Sequence, residues 1–251
     1  MVMEDIVVRA AGLCKGYGNG AVASPVLRGI DLKIPRGECL FLVGPPGSGK
    51  TTLLSILGCV LSPDAGALEI LGEDVTRYSS TEQARFRREK VGFVFQQFHL
   101  FDALTAVENV RVPFELMGIP AMEAERKSRE LLSLVGLADK DDSRVTRLST
   151  GQRQRVALAR ALAGNRELIL ADEPTVSLDV DAGLNAMQVL KDLCHSLNKT
   201  AVIVTHDSRI LPVADRILKL ADGRIVPDQP PENPPGSRAG PFPPAPLRRS
   251  A

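Results

Sequence analysis

The sequence predicts an α/β fold built on a mostly parallel central sheet. Three observations predict it. Residues 39–43, 168–171 and 201–204 are short continuous apolar runs, as expected of strands buried on both faces. Segments of helical periodicity separate them, and glycine- or proline-containing turns punctuate the junctions. Strands that alternate with helices need crossover connections, and crossovers give a parallel sheet covered by helices. At 251 residues and 44% hydrophobic content the chain can form one large lobed domain, or two small ones, with a real core.

Residues 5–43 read as strands and turns. Residues 26–32 alternate loosely, and Pro35-Arg36-Gly37-Glu38 is a turn signal before the run Cys39-Leu40-Phe41-Leu42-Val43. A glycine-rich loop follows, then a helix over 51–60 and a turn-and-strand section to Gly72. Ser79 with Glu82 three residues later is a capping box for a short basic helix. Residues 91–95 are strand-like. From about 104 to 164 the pattern becomes helical, with interleaved charges such as Glu123-Ala124-Glu125-Arg126-Lys127, which predicts a helical lobe inserted into the frame. After the strand at 168–171, Leu184, Met187, Leu190, Cys194 and Leu197 keep helical spacing and read as core. Residues 227–251 hold nine prolines and almost no aliphatic residue besides Leu247; too little apolar surface is available there to offset ordering, so a disordered tail is expected.

The formal net charge of +1 does not suggest a polyanion binder, for which a concentrated basic surface would be expected, and no nucleic-acid partner is expected. Cys14, Cys39, Cys59 and Cys194 show no C-x-x-C spacing and read as buried reduced thiols. No apolar run approaches the roughly 20 residues that cross a bilayer, and the acidic start is unlike a signal peptide.

Gly44-Pro45-Pro46-Gly47-Ser48-Gly49-Lys50-Thr51 matches G-x-x-x-x-G-K-[ST] between a strand and a helix. Glycines let successive N–H groups turn inward as a cradle for phosphate oxygens, and the helix N-terminus adds partial positive charge. Lys50 supplies a point charge to the terminal phosphates, and the Thr51 hydroxyl suits Mg²⁺. Asp172 and Glu173 end an apolar strand, where α/β sheets place ligands. Asp172 suits Mg²⁺, and Glu173 suits polarising a water for attack on the γ-phosphate. Gln96, past the strand at 91–95, could reach the metal or that water, and His206, past the strand at 201–204, could donate to the γ-phosphate. His99 and His195 read as unremarkable.

Leu148-Ser149-Thr150-Gly151-Gln152-Arg153-Gln154-Arg155, shortly before the acidic strand, resembles the signature sequence of ABC-transporter nucleotide-binding subunits; the resemblance runs from about residue 6 to 226. It implies the P-loop ABC ATPase fold, with an N-terminal antiparallel β subdomain and a helical subdomain at about 98–164. It implies ATP and Mg²⁺ as cofactors, held by Gly44, Pro45, Pro46, Gly47, Ser48, Gly49, Lys50, Thr51 and Thr52, with Thr51, Gln96 and Asp172 around the metal. Tyr17 matches the aromatic that stacks on adenine, Gln96 the Q-loop glutamine, Asp179 the D-loop aspartate and His206 the switch histidine. Glu173 takes the role of general base. Because Ser149 and Gly151 open a second helix, through about 163, the chain carries a second phosphate-ready helix N-terminus. The resemblance implies a head-to-tail homodimer with ATP between the phosphate loop of one copy and Ser149 and Gly151 of the other.

Two departures stand out. Thr150 replaces the usual glycine, which would strain a β-branched residue if that position had φ > 0, and Val176-Ser177 is an uncommon D-loop pairing. Residues 95–100, 105–110 and 171–175 are similar to the branch of lipoprotein-releasing, macrolide-exporting and heterocyst glycolipid-exporting ATPases. The resemblance implies a separate membrane permease, an adaptor in some systems, and a peripheral place on the cytoplasmic face of the membrane. A groove near 96–101, with Phe98, Leu100 and Phe101 as apolar anchors or as core, is the expected docking place. A soluble ABC ATPase with a regulatory role is the alternative.

Overall fold

A computed structural model describes residues 5–18 and 24–226. The expected disorder of residues 227–251 lies outside the described residues.

Two sheets organise the chain. The first is antiparallel, in the order β2-β1-β4-β5, from β1 (Ile6–Tyr17), β2 (Ser24–Pro35), β4 (Ala65–Ile70) and β5 (Glu73–Asp74). The second has the order β10-β9-β3-β8-β7-β6. In it β9 (Arg216–Ala221), β3 (Cys39–Val43), β8 (Thr200–Val204), β7 (Leu168–Asp172) and β6 (Val91–Val94) run parallel, and β10 (Arg224–Val226) closes the edge antiparallel. The α/β class, the antiparallel N-terminal sheet and the mostly parallel central sheet are therefore as the sequence predicts.

The continuous apolar runs resolve into alternation. Phe41, Ile169, Ala171, Ala201 and Ile203 face one core together with α5 (Thr150–Leu162), α6 (Val180–Ser196) and the helices α3 (Ala106–Leu116) and α4 (Ala121–Leu134). Leu40, Leu42, Leu168, Leu170, Val202 and Val204 face a second core under the antiparallel sheet, shared with α1 (Lys50–Leu57) and Phe86 of α2 (Ser80–Lys90). A strand covered on both faces must be apolar at every position, which is why its period of two was hidden in the sequence. The helices α3, α4 and α5 pack on one another.

Local chemistry sets several boundaries. Ser79–Glu82, Thr105–Glu108 and Ser149–Gln152 each form a complete capping box, starting α2, α3 and α5. The first helix stops at Leu57 rather than at residue 60: Gly58 caps it and Cys59 turns to φ 52. A Cβ at Gly58 would lie 2.3 Å from Phe93 Cζ, so the chain turns where β6 crowds it. Leu197, expected in the core stripe of α6, sits at its C-cap and is 41% exposed, whereas Met187, Leu190 and Cys194 are buried. All four cysteines are free thiols, and Cys14 is only half-buried.

Candidate functional site

The carboxyl ends of the parallel strands converge on one region. From β3 the chain enters residues 44–49, where Gly44, Gly47 and Gly49 adopt φ of 154°, 77° and 102°. Gly49 is also tightly enclosed, since a Cβ there would meet Leu27 Cδ2 at 2.8 Å. Side chains other than hydrogen are thus excluded twice over, by backbone conformation and by packing. Nothing lies within 4 Å of a Cβ built on Gly47, so the loop's inner face is open.

Lys50 opens α1 and is buried, its Nζ donating to the carbonyls of Gly44 (2.8 Å) and Pro45 (3.0 Å). The Ser48 hydroxyl is buried with no hydrogen-bond partner. An orphaned hydroxyl and an ammonium satisfied only by loop carbonyls are what a phosphate-binding cradle would leave, since an arriving anion satisfies both. Across the loop the Thr51 hydroxyl donates to Asp172 Oδ1 at 3.4 Å. Burial raises the Asp172 carboxyl above its ordinary range, assisted by Glu173 and opposed by Thr51 and Lys50. A hydroxyl beside a desolvated carboxylate is a hard-oxygen donor pair of the kind that Mg²⁺ accepts. On the other flank the Tyr17 hydroxyl lies 3.4 Å from Thr52 Oγ1, which brings the half-exposed ring to the mouth of the loop.

Beyond β7, Glu173 sits at φ 48, a left-handed conformation unusual for a residue with a side chain. Its N–H donates to Val204 at 2.9 Å, its side chain is 18% exposed, and its Oε1 lies 2.7 Å from His206 Nδ1. Gln96, two residues past β6 on the neighbouring strand, is exposed.

Ser149, Gly151 and Asp179 form a second group. Ser149 is the N-cap of α5, accepting from Gln152 N at 3.2 Å, and Asp179 is the N-cap of α6, accepting from Ala182 N at 2.8 Å. A Cβ on Gly151 would lie 3.7 Å from that of Ala182, an ordinary contact, so neither conformation nor internal packing requires glycine there. Thr150 is the first helical residue and has no positive φ, so the strain considered for it does not arise. Among the described residues no hydrogen bond joins this second group to the phosphate loop.

The expected apolar anchors divide. Phe98 is buried and Leu100 packs against the core, so these two are structural, whereas Phe101 is 51% exposed. Arg160 was not singled out from the sequence, yet it donates to the carbonyls of Phe98 (2.7 Å) and His99 (2.6 Å) and so holds the loop that follows Gln96. Its helical position gave no sign of this, because the acceptors are 61 and 62 residues away.

The family model for ABC transporters matches residues 27–176. An uncharacterised ABC transporter ATP-binding protein of Thermotoga maritima is 44% identical over 219 residues, covering 87% of this chain and 93% of that protein. The macrolide export ATP-binding/permease protein MacB of Vibrio parahaemolyticus is 42% identical over 226 residues. The chain spans about a third (34%) of that relative's length. Among solved structures, the dimer of the ATP-binding cassette MJ0796 in a post-hydrolysis state, bound to ADP and Pi, is 39% identical with a TM-score of 0.76, covering 87% of this chain and 96% of that one.

Proposed function

The chain belongs to the ABC transporter family, and from that premise we propose that it is an ATP-hydrolysing subunit that drives a membrane permease through nucleotide-gated pairing of two copies. One observation carries the reading: the phosphate loop, with its orphaned Ser48 hydroxyl and enclosed Lys50, and the capped helix start at Ser149 and Gly151 are two anion-ready surfaces with no bond between them. A second copy turned head to tail supplies each loop with the helix start it lacks. The dimeric form of MJ0796 supports this arrangement.

In the proposed site residues 44–52 grip the phosphates, and Tyr17 stacks on the base. Thr51, Asp172 and Gln96 would hold Mg²⁺, which, when bound, neutralises phosphate charge. Glu173 takes a proton from water on a carboxylate oxygen, and His206 orients that carboxylate through Nδ1. Asp179, capping α6 beside Gly151, couples the two sites. We place residues 1–226 in the nucleotide-binding domain and about 98–164 in its helical subdomain.

Among the described residues no helix is long and apolar enough to cross a membrane. The proposed place is peripheral, on the cytoplasmic face of the membrane. The MacB-type relatives support an exporter, and an adaptor in some systems is part of the proposal. A soluble regulatory role leaves the exposed Phe95 and Phe101 without a task. Turnover of Mg·ATP by the purified chain, together with its co-purification with a membrane permease, tests the reading; failure of both would remove it.

A further inference from the structure

Beside the loop that follows Gln96 lies a cleft of about 630 Å³. Part of its lining is apolar: the rings of Phe93, Phe95 and His99 stack at centroid separations of 5.5 and 4.8 Å, and Leu116 is 62% exposed. The lining also includes the half-buried Arg160 and Arg166. Arg160 spends its terminal nitrogens on the Phe98 and His99 carbonyls. Arg166 gives one nitrogen to the Arg160 carbonyl at 3.1 Å, and its Nε is buried without a partner. Among the described residues no carboxylate forms an ion pair with either arginine, and Asp172 is the one acid in the lining. Burial, with the like charge of Arg160 nearby, pushes the Arg166 guanidinium down to about 10. A cation that lines the cleft without a carboxylate partner is stabilised by an arriving anion, and the planar guanidinium fork suits a carboxylate.

We infer that the permease segment received by this cleft carries a carboxylate that pairs with Arg166, between apolar side chains that cover Phe95, Phe101 and Leu116. This rests on the transporter reading above and names the chemistry of its partner. The chain's own residues 227–251 are the wrong sign for the task, with Arg238, Arg248 and Arg249 against Asp228 and Glu232.

The test measures the affinity of the full chain for the detergent-solubilised permease that co-purifies with it. Arg166→Glu should weaken binding by about thirtyfold or more, the scale of a broken buried charge pair, while Arg166→Lys keeps most of it. Changing one cytoplasmic Asp or Glu of the permease to Arg should restore binding to the Arg166→Glu chain, which also shows that this variant is folded. Unchanged affinity in Arg166→Glu, or a loss that no single swap restores, overturns the carboxylate assignment and leaves the transporter reading standing. A peptide of residues 227–251 that displaces the permease makes the occupant intramolecular and overturns it too. A wild-type chain that does not bind the permease at all overturns both.

Discussion

His206 Nδ1 lies 2.7 Å from Glu173 Oε1, and the His206 backbone N–H donates to the other oxygen of the same carboxylate at 3.3 Å. With the carboxylate ionised, Nδ1 must carry the proton, and a neutral ring then presents only a lone pair at Nε2. In this arrangement His206 cannot also donate to a phosphate through Nε2 unless it is charged; otherwise it must release Glu173 and rotate.

Glu173→Gln should lower kcat by about a hundredfold to ten-thousandfold, the range for loss of a general base, while ATP affinity stays within a few fold. Steady-state turnover and equilibrium nucleotide binding check this together. Turnover at the parent rate would remove Glu173 from the base role.

At Ser149 one hydroxyl serves two tasks, and substitutions can separate them. Ser149→Ala removes the cap of α5 and should cost about 1 kcal/mol of stability. Ser149→Asp keeps a good cap and favours the helix dipole, so the unfolding midpoint should hold. Its negative charge would then face phosphate, and turnover should fall steeply at unchanged stability. Thermal unfolding beside ATPase assays distinguishes the two variants.

Gly92→Ala should destabilise the fold by about 1–3 kcal/mol through overpacking, because a Cβ there would meet the Ala161 carbonyl oxygen at 2.0 Å. β6 and α5 approach through that glycine, so the whole domain should unfold at lower denaturant.

The Asp215 carboxylate is raised by burial, but Lys191 (2.6 Å), His195 (2.7 Å) and the Cys39 N–H (2.9 Å) outweigh this and hold it below its ordinary range. A depressed folded value stabilises above the unfolded value of about 4 and loses that contribution as pH falls through the folded one. Asp215→Asn should therefore be less stable than the parent at pH 7, and the gap should narrow below about pH 4. Unfolding midpoints across pH measure it.

How much was legible follows from how local each signal is. The helix starts at Ser79 and Ser149 are read within three residues, and the structure caps helices at both. The run at 39–43 is the strand at those residues, because burial on both faces leaves no other reading. Phe98 was ambiguous because its burial depends on a left-handed backbone (φ 59) and on Arg160 from a distant helix. The C-cap of α1 is a glycine where a side chain would strike Phe93 of another strand, a contact the sequence does not carry. The left-handed backbone at Glu173 and the bond of its N–H to Val204 depend on the neighbouring strand, which no local sequence pattern carries.

The most direct measurement is sedimentation of the Glu173→Gln chain with ATP and Mg²⁺, alone and combined with Ser149→Asp. A species of twice the 27.0 kDa chain mass in the first, absent in the second, is predicted. A monomer throughout, or equal pairing in both, would contradict a nucleotide held between two copies.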